Sequence, residues 1–399
     1  LADFTVKSEF VGYTDLVTKA KIAAILHEDA FVDFAGAGET VSVVLDRTPF
    51  YAESGGQVSD GGWLRGDGFI AEVKDVSKAP HGQHVHLVLI KEGVLKKGAE
   101  AIAEVAAEAR EATVKNHTAT HLLHKALKEV LGEHVNQAGS LVAPERLRFD
   151  FSHFAAMTAE EIAEVERKVN EQIWLGTPLV IEQMPIAEAK AMGAMALFGE
   201  KYGDIVRVVQ VGKYSIELCG GCHVKNTSQI GLFNIVSESG IASGVRRIEA
   251  VTGKAAFLHL DAQLNLLQET AALVKASPAE LPRRIEALQS QLREVQREID
   301  ALRGKIGALE AENLASRVKL VGDVPLLSAE VKGADMDTLR GIADRMKEKL
   351  GSAVILLGAA AGGKVQFVAA VTPDLVKRGI SAGAIVKDAA AACGGGGGG

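Results

Sequence analysis

Ile285, Leu288, Leu292, Val295, Ile299, Leu302, Ile306 and Leu309 follow one another at spacings that alternate three and four. That alternation is the a/d seam of a heptad repeat, and an α-helix gathers it into one apolar stripe. A strand, with its period of two, would scatter the same residues over both faces. The stripe therefore fixes a long helix that needs a partner. Upstream, Phe257, Leu260, Leu264, Leu267, Ala271 and Val274 repeat the pattern. Between the two runs, "ASPAELPRR" breaks and restarts the helix, with Ser277 as N-cap, Pro278 at the first position and Glu280 closing a capping box. Two seams joined by a short turn predict an antiparallel helical hairpin over residues 256–318. Asn313, at the next a position, marks where the seam ends.

The remaining chain divides around this hairpin. Residues 1–105 carry short strand-like runs, "FTVKSEFVGY", "KIAAILHE", "TVSVVLDRTPF", "FIAEVKDV" and "HGQHVHLVLI", separated by Gly, Asp and Pro. They predict a small β-barrel or a sandwich. Within them, "AESGGQVSDGGWL" (52–64) is too rich in glycine for a strand, and no Gly-Lys-Ser/Thr follows to make a Walker phosphate loop. It reads as a surface turn or as a backbone that something approaches closely. Residues 106–252 alternate helices and strands. Among them, "TAEEIAEVERKVNEQIWLG" is an amphipathic helix with Thr158 as cap and Glu161 completing a capping box. Residues 319–399 read as strand, helix, strand pair and helix. The fold class expected is α+β and multidomain: a small β-barrel, an α/β domain, an antiparallel coiled-coil hairpin and a small α/β C-terminal domain.

Composition narrows the setting. Of the 399 residues, 47% are hydrophobic and 24% charged, enough of each for folded domains in water. No apolar run reaches membrane-spanning length and no signal peptide opens the chain. Three cysteines make no disulfide framework, so a reducing, cytoplasmic setting is expected. The net charge of −7 argues against a general nucleic-acid coat. Residues 319–399 hold ten Lys/Arg against eight Asp/Glu, while the rest hold 34 against 43. Any RNA contact must then use local patches. Leu1 in place of Met and the closing "CGGGGGG" read as the ends of a piece of a longer protein.

Chemistry is carried by two segments. The first is "KNHTATHLLHKAL" (115–127), in a stretch with no Gly or Pro until Gly132. On a helical wheel of about 100° per residue, His121 and His124 lie within roughly 40° of His117. Leu122, Leu123, Ala126 and Leu127 fall on the opposite side. The apolar face packs inward and the histidines share another face, either solvated like Lys128 or aimed at one atom, as the i,i+4 spacing of His117 and His121 allows. The second segment, "ELCGGCHVKNTSQIG" (217–231), offers Cys219, Cys222 and His223, all preferred zinc donors. No second cysteine pair exists for a four-cysteine ribbon. A redox Cys-x-x-Cys would open a helix, which this stretch forms poorly. One metal site supplied by both segments is the reading that joins them.

Taken in order, "RTPFYAESGGQVSDGG", "NHTATHLLHKAL", "NQAGSLV" and "ELCGGCHVKNTSQIGLFNIVSESGIASGVRRIEAVTG", then the hairpin and the terminal unit with its Gly run, resemble the editing half of bacterial alanyl-tRNA synthetases. Threonyl-tRNA synthetases have a related editing domain with a similar His pair and Cys/His pair, without this barrel and C-terminal arrangement. The resemblance implies zinc, one per chain, on His117, His121, Cys219 and His223; the family often has Thr where Cys222 stands. It implies editing roles for Gln137 and Thr120. It makes residues 106–252 a zinc-dependent editing domain and residues 319–399 a tRNA-binding domain. For RNA contact, Gly55 and Gly56 of the Gly-rich loop and the pair Arg246 and Arg247 are the candidates.

The activity implied is hydrolysis of the ester of mischarged Ser-tRNA(Ala) and Gly-tRNA(Ala). The full-length parent would ligate alanine to tRNA(Ala) with ATP. No part of the chain is expected to resemble the ATP-binding class II core, so this piece should not aminoacylate. The partners implied are the acceptor end and elbow of tRNA(Ala), with the hairpin or C-terminal domain as the surface a homodimer would use, and no membrane. Competing readings are a free-standing trans-editing deacylase, a non-catalytic zinc-stabilised tRNA-binding or dimerisation module, and a small-molecule metallohydrolase.

Overall fold

The computed structural model describes residues 8–28, 30–195, 203–361 and 363–396. They form two compact units, Leu1–Leu266 and Leu267–Gly399.

In the first unit, six strands close a barrel: β1 (Val17–His27), β2 (Thr40–Leu45), β3 (Gly62–Gly66), β4 (Phe69–Lys78), β5 (His84–Lys96) and β6 (Glu100–Val105). Every pairing is antiparallel in the order β6-β3-β4-β5-β2-β1, and β6 pairs back onto β1 through Ala101↔Ala20 and Ala103↔Thr18. Closure removes the free edges that a two-sheet sandwich would leave. Alternation drives it. In β6, Ala101, Ala103 and Val105 point into a core with Ile22, Val43, Leu45, Leu64, Val88 and Ile90, while Ile102 is exposed. Of the strand-like run 4–13, residues 4–7 lie outside the described residues.

Helix α1 (Ala107–Leu131) follows β6 at once, with Glu108 in its first turn and Lys128 in its last, each favourable to the helix dipole. It is buried on nearly all sides. Leu122, Leu123, Ala126 and Leu127 are fully buried, and Asn116, His117, Thr120, His121 and His124 are 5% exposed or less. The histidine face is thus internal rather than solvated, because a second layer of chain covers it.

The strands β7 (Gln137–Val142), β8 (Leu147–Ser152), β12 (Phe233–Ala242) and β13 (Val245–Thr252) form an antiparallel sheet in the order β7-β8-β13-β12. Phe149, Phe151 and Ile248 from this sheet share one core with α1 and with Val165, Val169 and Ile173 of α2 (Ala159–Trp174). The expected Thr158–Glu161 capping box opens α2. A separate sheet, β9 (Leu179–Pro185), β10 (Ile205–Val211) and β11 (Ser215–Leu218), runs antiparallel in that order. Helix α3 (Ile186–Ala191) follows β9 and is short, since Gly193 turns the chain at φ +81° just beyond it. Residues 196–198 lie outside the described residues.

Helix α4 (Gly253–Leu273) spans the boundary between the units, and α5 (Leu281–Ala315) belongs to the second. The Ser277–Glu280 capping box and Pro278 start α5 through one 3-10 turn. Its heptad residues from Ile285 to Leu309 are 36–71% exposed. Its last turns are different: Ala311 and Leu314 are buried with Leu339, Ile342 and Met346 of α6 (Met336–Leu350). The terminal sheet is β14 (Lys319–Val321), β15 (Val324–Glu330), β16 (Val354–Ala361) and β17 (Lys364–Val371), in that order. Only β15–β16 is parallel, and α6 supplies its crossover. Helices α7 (Pro373–Lys377) and α8 (Ala382–Ala392) follow. Among the described residues no helix is long and apolar enough to cross a membrane.

Candidate metal centre

Two pieces of the first unit build the site. Consecutive turns of α1 present His117 and His121, stacked by the i,i+4 geometry of the helix. The chain leaving β11 at Leu218 turns through Cys219-Gly-Gly-Cys-His223 and brings Cys219 and His223 against them. The four candidate ligand atoms lie within 4.8 Å of one another. Cys219 Sγ is 3.4 Å from His117 Nε2 and 3.3 Å from His223 Nε2. Donors about 2.0–2.3 Å from a tetrahedral zinc stand roughly 3.3–3.6 Å apart, so this set fits the ion. His121 Nδ1 is buried with no protein partner, as an atom awaiting a ligand would be. Cys222 is buried but stands outside the cluster.

Electrostatics prepare the donors unequally. Burial holds His117 and His223 well below the ordinary imidazole range and lowers His121 as well. All three rings are therefore neutral at pH 7, each with a lone pair to give. Burial pushes the Cys219 thiol up to about 12, although the Gly221 N–H approaching Sγ at 3.4 Å opposes it. An ion must displace that proton. A guanidinium close by eases the step: Arg207 donates to the carbonyls of Cys219 at 2.9 Å and Gly221 at 2.7 Å, and lies 4.1 Å over the Tyr13 ring. Tyr13 in turn donates to the Gly220 carbonyl at 2.7 Å. Three successive carbonyls of the turn are thus pinned from outside.

The rings have outer partners too. Thr118 Oγ1 lies 3.1 Å from His223 Nδ1 and accepts from the Val224 N–H at 3.2 Å. The Glu217 carboxylate stands 3.6 Å from His121 Nε2 and 3.6 Å from His124 Nδ1. Burial would raise Glu217, but His121, His124 and Ser215 outweigh it and hold the carboxyl below its usual range. His124 is buried against Phe149 and serves this carboxylate rather than the ligand cluster.

A small cavity opens beside the cluster, and Thr120, Gln137, Gly55, Glu217 and Ser140 line it with His117 and His121. Thr120 donates its hydroxyl to the Asn116 carbonyl at 2.9 Å. Gly56 packs against Ser140, where a Cβ would meet its carbonyl oxygen at 2.8 Å. The Gly-rich loop is therefore a wall of the site. Arg246 and Arg247, on β13, do not line the cavity. Arg246 donates to both carboxylate oxygens of Glu238 at 2.5 and 2.7 Å, and Arg247 to those of Asp150 at 2.7 and 2.8 Å.

Gln57, Glu217, Arg207 and Tyr13 escape a reading by sequence. Glu217 had a signal, since it stands two residues before Cys219 at the end of a strand and so on the same face. Arg207 and Tyr13 had none, because nothing local ties them to the turn they hold.

Three family profiles match the chain. "tRNA synthetases class II (A)" matches residues 1–109. "Threonyl and Alanyl tRNA synthetase second additional domain" matches residues 206–249. "DHHA1 domain" matches residues 323–399. The first bears on the expectation that no part resembles a class II core: residues 1–109 do match a class II profile, and the six barrel strands lie within that stretch. Curated relatives include the alanine–tRNA ligases of Halalkalibacterium halodurans, 58% identical over 98% of this chain and 44% of its own length, and of Geobacillus thermodenitrificans, 57% over the same shares. The Bacillus subtilis alanine–tRNA ligase is 55% identical over 98% of the chain and 44% of its length. The chain spans less than half the length of the curated relatives it matches.

Proposed function

The chain is a homologue of the alanine–tRNA ligases, and from that premise we propose that it clears mischarged tRNA(Ala) by hydrolysing the ester of seryl and glycyl groups. The observation that carries this reading is the convergence of His117, His121, Cys219 and His223 beside a polar cavity. A synthetic pocket for alanine needs such a second site. One missing methylene is worth only about 1–3 kcal/mol, and a small pocket rejects an added hydroxyl poorly.

One zinc ion on those four residues would supply Lewis acidity toward the aminoacyl ester or its attacking water. The protein's part is placement. Thr120 and Gln137 offer polar groups to the aminoacyl moiety, Gly55 and Gly56 let a ribose or backbone approach closely, and Glu217 holds His121 in place. Arg246 and Arg247 remain candidates for RNA contact, where a phosphate would compete with Glu238 and Asp150. The terminal unit, 319–399, would grip the tRNA toward its elbow, with the helical segment 256–318 as spacer or homodimer contact. Ligation of alanine with ATP belongs to the full-length parent in this reading, and the setting is the cytoplasm.

One observation favours a second reading. Four protein ligands make a closed set, which is usual for structural zinc. A zinc-stabilised tRNA-binding module without turnover would look the same at the cluster. Deacylation of Ser-tRNA(Ala), with and without chelator, separates the two. Multiple turnovers that chelator abolishes support the editing reading. A fully zinc-loaded chain that leaves the ester intact sinks it.

A further inference from the structure

Gln57 is fully buried on the Gly-rich loop, and its side chain reaches both pieces of the metal centre. Its Oε1 lies 2.9 Å from the backbone nitrogen of Cys222 and 2.8 Å from His117 Nδ1. The backbone N–H can only donate, so the amide atom it faces must be the oxygen and not the NH2 group. That oxygen can only accept, so His117 Nδ1 must carry the proton. A neutral imidazole has a single N–H, which leaves the lone pair on Nε2. Nε2 is the atom that faces Cys219 Sγ at 3.4 Å. A ring that ligates a metal must be neutral, so fixing the proton on Nδ1 fixes Nε2 as the nitrogen free to ligate.

The surroundings leave Gln57 little freedom. Val142 on β7 brackets it, accepting from the Val58 N–H at 3.0 Å and donating to the Gly56 carbonyl at 2.7 Å. Gly56 sits at φ +82° and has no room for a Cβ. From the other side, a Cβ on Gly221 would come within 2.0 Å of His117 Cε1, 2.4 Å of Nδ1 and 3.0 Å of Gln57 Oε1. Glycines on both segments thus permit the three-way contact.

We propose that Gln57 is the positioning residue that fixes the metal-binding tautomer of His117, which makes the barrel's Gly-rich loop a working part of the metal centre. This rests on reading the cluster as a metal centre. Partners of this kind orient a ligating imidazole and raise its basicity, and losing one typically weakens metal binding about 10–100-fold.

The test compares Gln57→Met, which keeps length and bulk but no acceptor, with Gln57→Glu, which keeps the acceptor. Zinc affinity of the whole chain is measured by competition with a chelator. Long-range 1H–15N correlation of the metal-free chain reads the His117 tautomer. The Met variant should bind zinc about 10–100-fold more weakly and populate both tautomers. The Glu variant should stay close to wild type, protonated at Nδ1. A Met variant with unchanged affinity, or a Glu variant that loses as much as Met, overturns the proposal. Should the Met variant fail to fold, the wild-type spectrum decides: a proton on Nε2 in the metal-free chain is equally fatal. A wild type that binds no zinc defeats the metal-centre reading instead, while its tautomer still tests Gln57.

Discussion

Three residues beyond Gln57, the loop is anchored by a buried ion pair whose loss can be predicted in magnitude. Arg110, near the start of α1, is 5% exposed and Asp60 is 7% exposed. Arg110 Nε donates to both oxygens of Asp60 at 2.9 and 3.0 Å, with Nη2 adding a further bond to Oδ2. The guanidinium also donates to the carbonyls of Gly12 at 2.5 Å and Pro49 at 3.0 Å, and Asp60 accepts the Tyr51 N–H at 2.7 Å. Asp60→Ala therefore leaves a buried cation with two carbonyls for company and one amide unpaired. Breaking such a pair from one side costs about 3–5 kcal/mol. At roughly 2–4 °C per kcal/mol for a unit of this size, Tm should fall by about 6–20 °C. The chain's two tryptophans, Trp63 and Trp174, both lie in the first unit, so their fluorescence follows its unfolding apart from the second. The double variant Asp60→Leu with Arg110→Met replaces both charges by apolar groups and should recover much of the loss. A drop of only a degree or two in the single variant, or a double variant whose loss equals the sum of both singles, would refute the reasoning.

Other outcomes follow from the same geometry. Cys219→Ala should abolish zinc binding and Cys222→Ala should keep one zinc per chain by metal analysis; the reverse result would move the sulfur ligand to Cys222. Zinc affinity should rise about tenfold per pH unit between pH 7 and 9, because only the Cys219 thiol, pushed up to about 12, must lose a proton while the histidines are already neutral; a flat profile contradicts a protonated Cys219. Burial lowers His86 to about 4 in the folded chain, so between pH 6.5 and 4 the unfolded state binds a proton that the native state refuses. Stability should therefore fall with falling pH by about 1.4 kcal/mol per unit from this group, and a His86→Gln variant that titrates identically would dismiss it. Deleting 319–399 should raise the tRNA concentration for half-maximal rate and flatten the salt dependence with saturated turnover nearly unchanged; collapse of turnover would mean the terminal unit helps build the active site.

Much of this protein was written locally. The seam from Ile285 to Leu309, the Thr158 and Ser277 capping boxes and the His117/His121 pair each act within a few residues. Backbone geometry alone converts such spacing into a helix, its start, or two rings on one face. The strand alternation of β6 worked in the same way, yet it could not tell barrel from sandwich, because that depends on β6 meeting β1 some eighty residues away. The site divides along the same line. Its four donors were named from motif and resemblance, whereas their setting came only with the fold: the buried histidine face, Arg207 and Tyr13 pinning the turn, and Gln57 reaching His117 across 60 residues of chain. A hydrogen bond between distant segments imposes no period on either one. It needs only an acceptor where the other segment brings a donor, and many residues could supply that at no visible cost to their own strand or loop. Local physics therefore leaves a trace in the sequence, and the complementarity of surfaces brought together by folding leaves almost none.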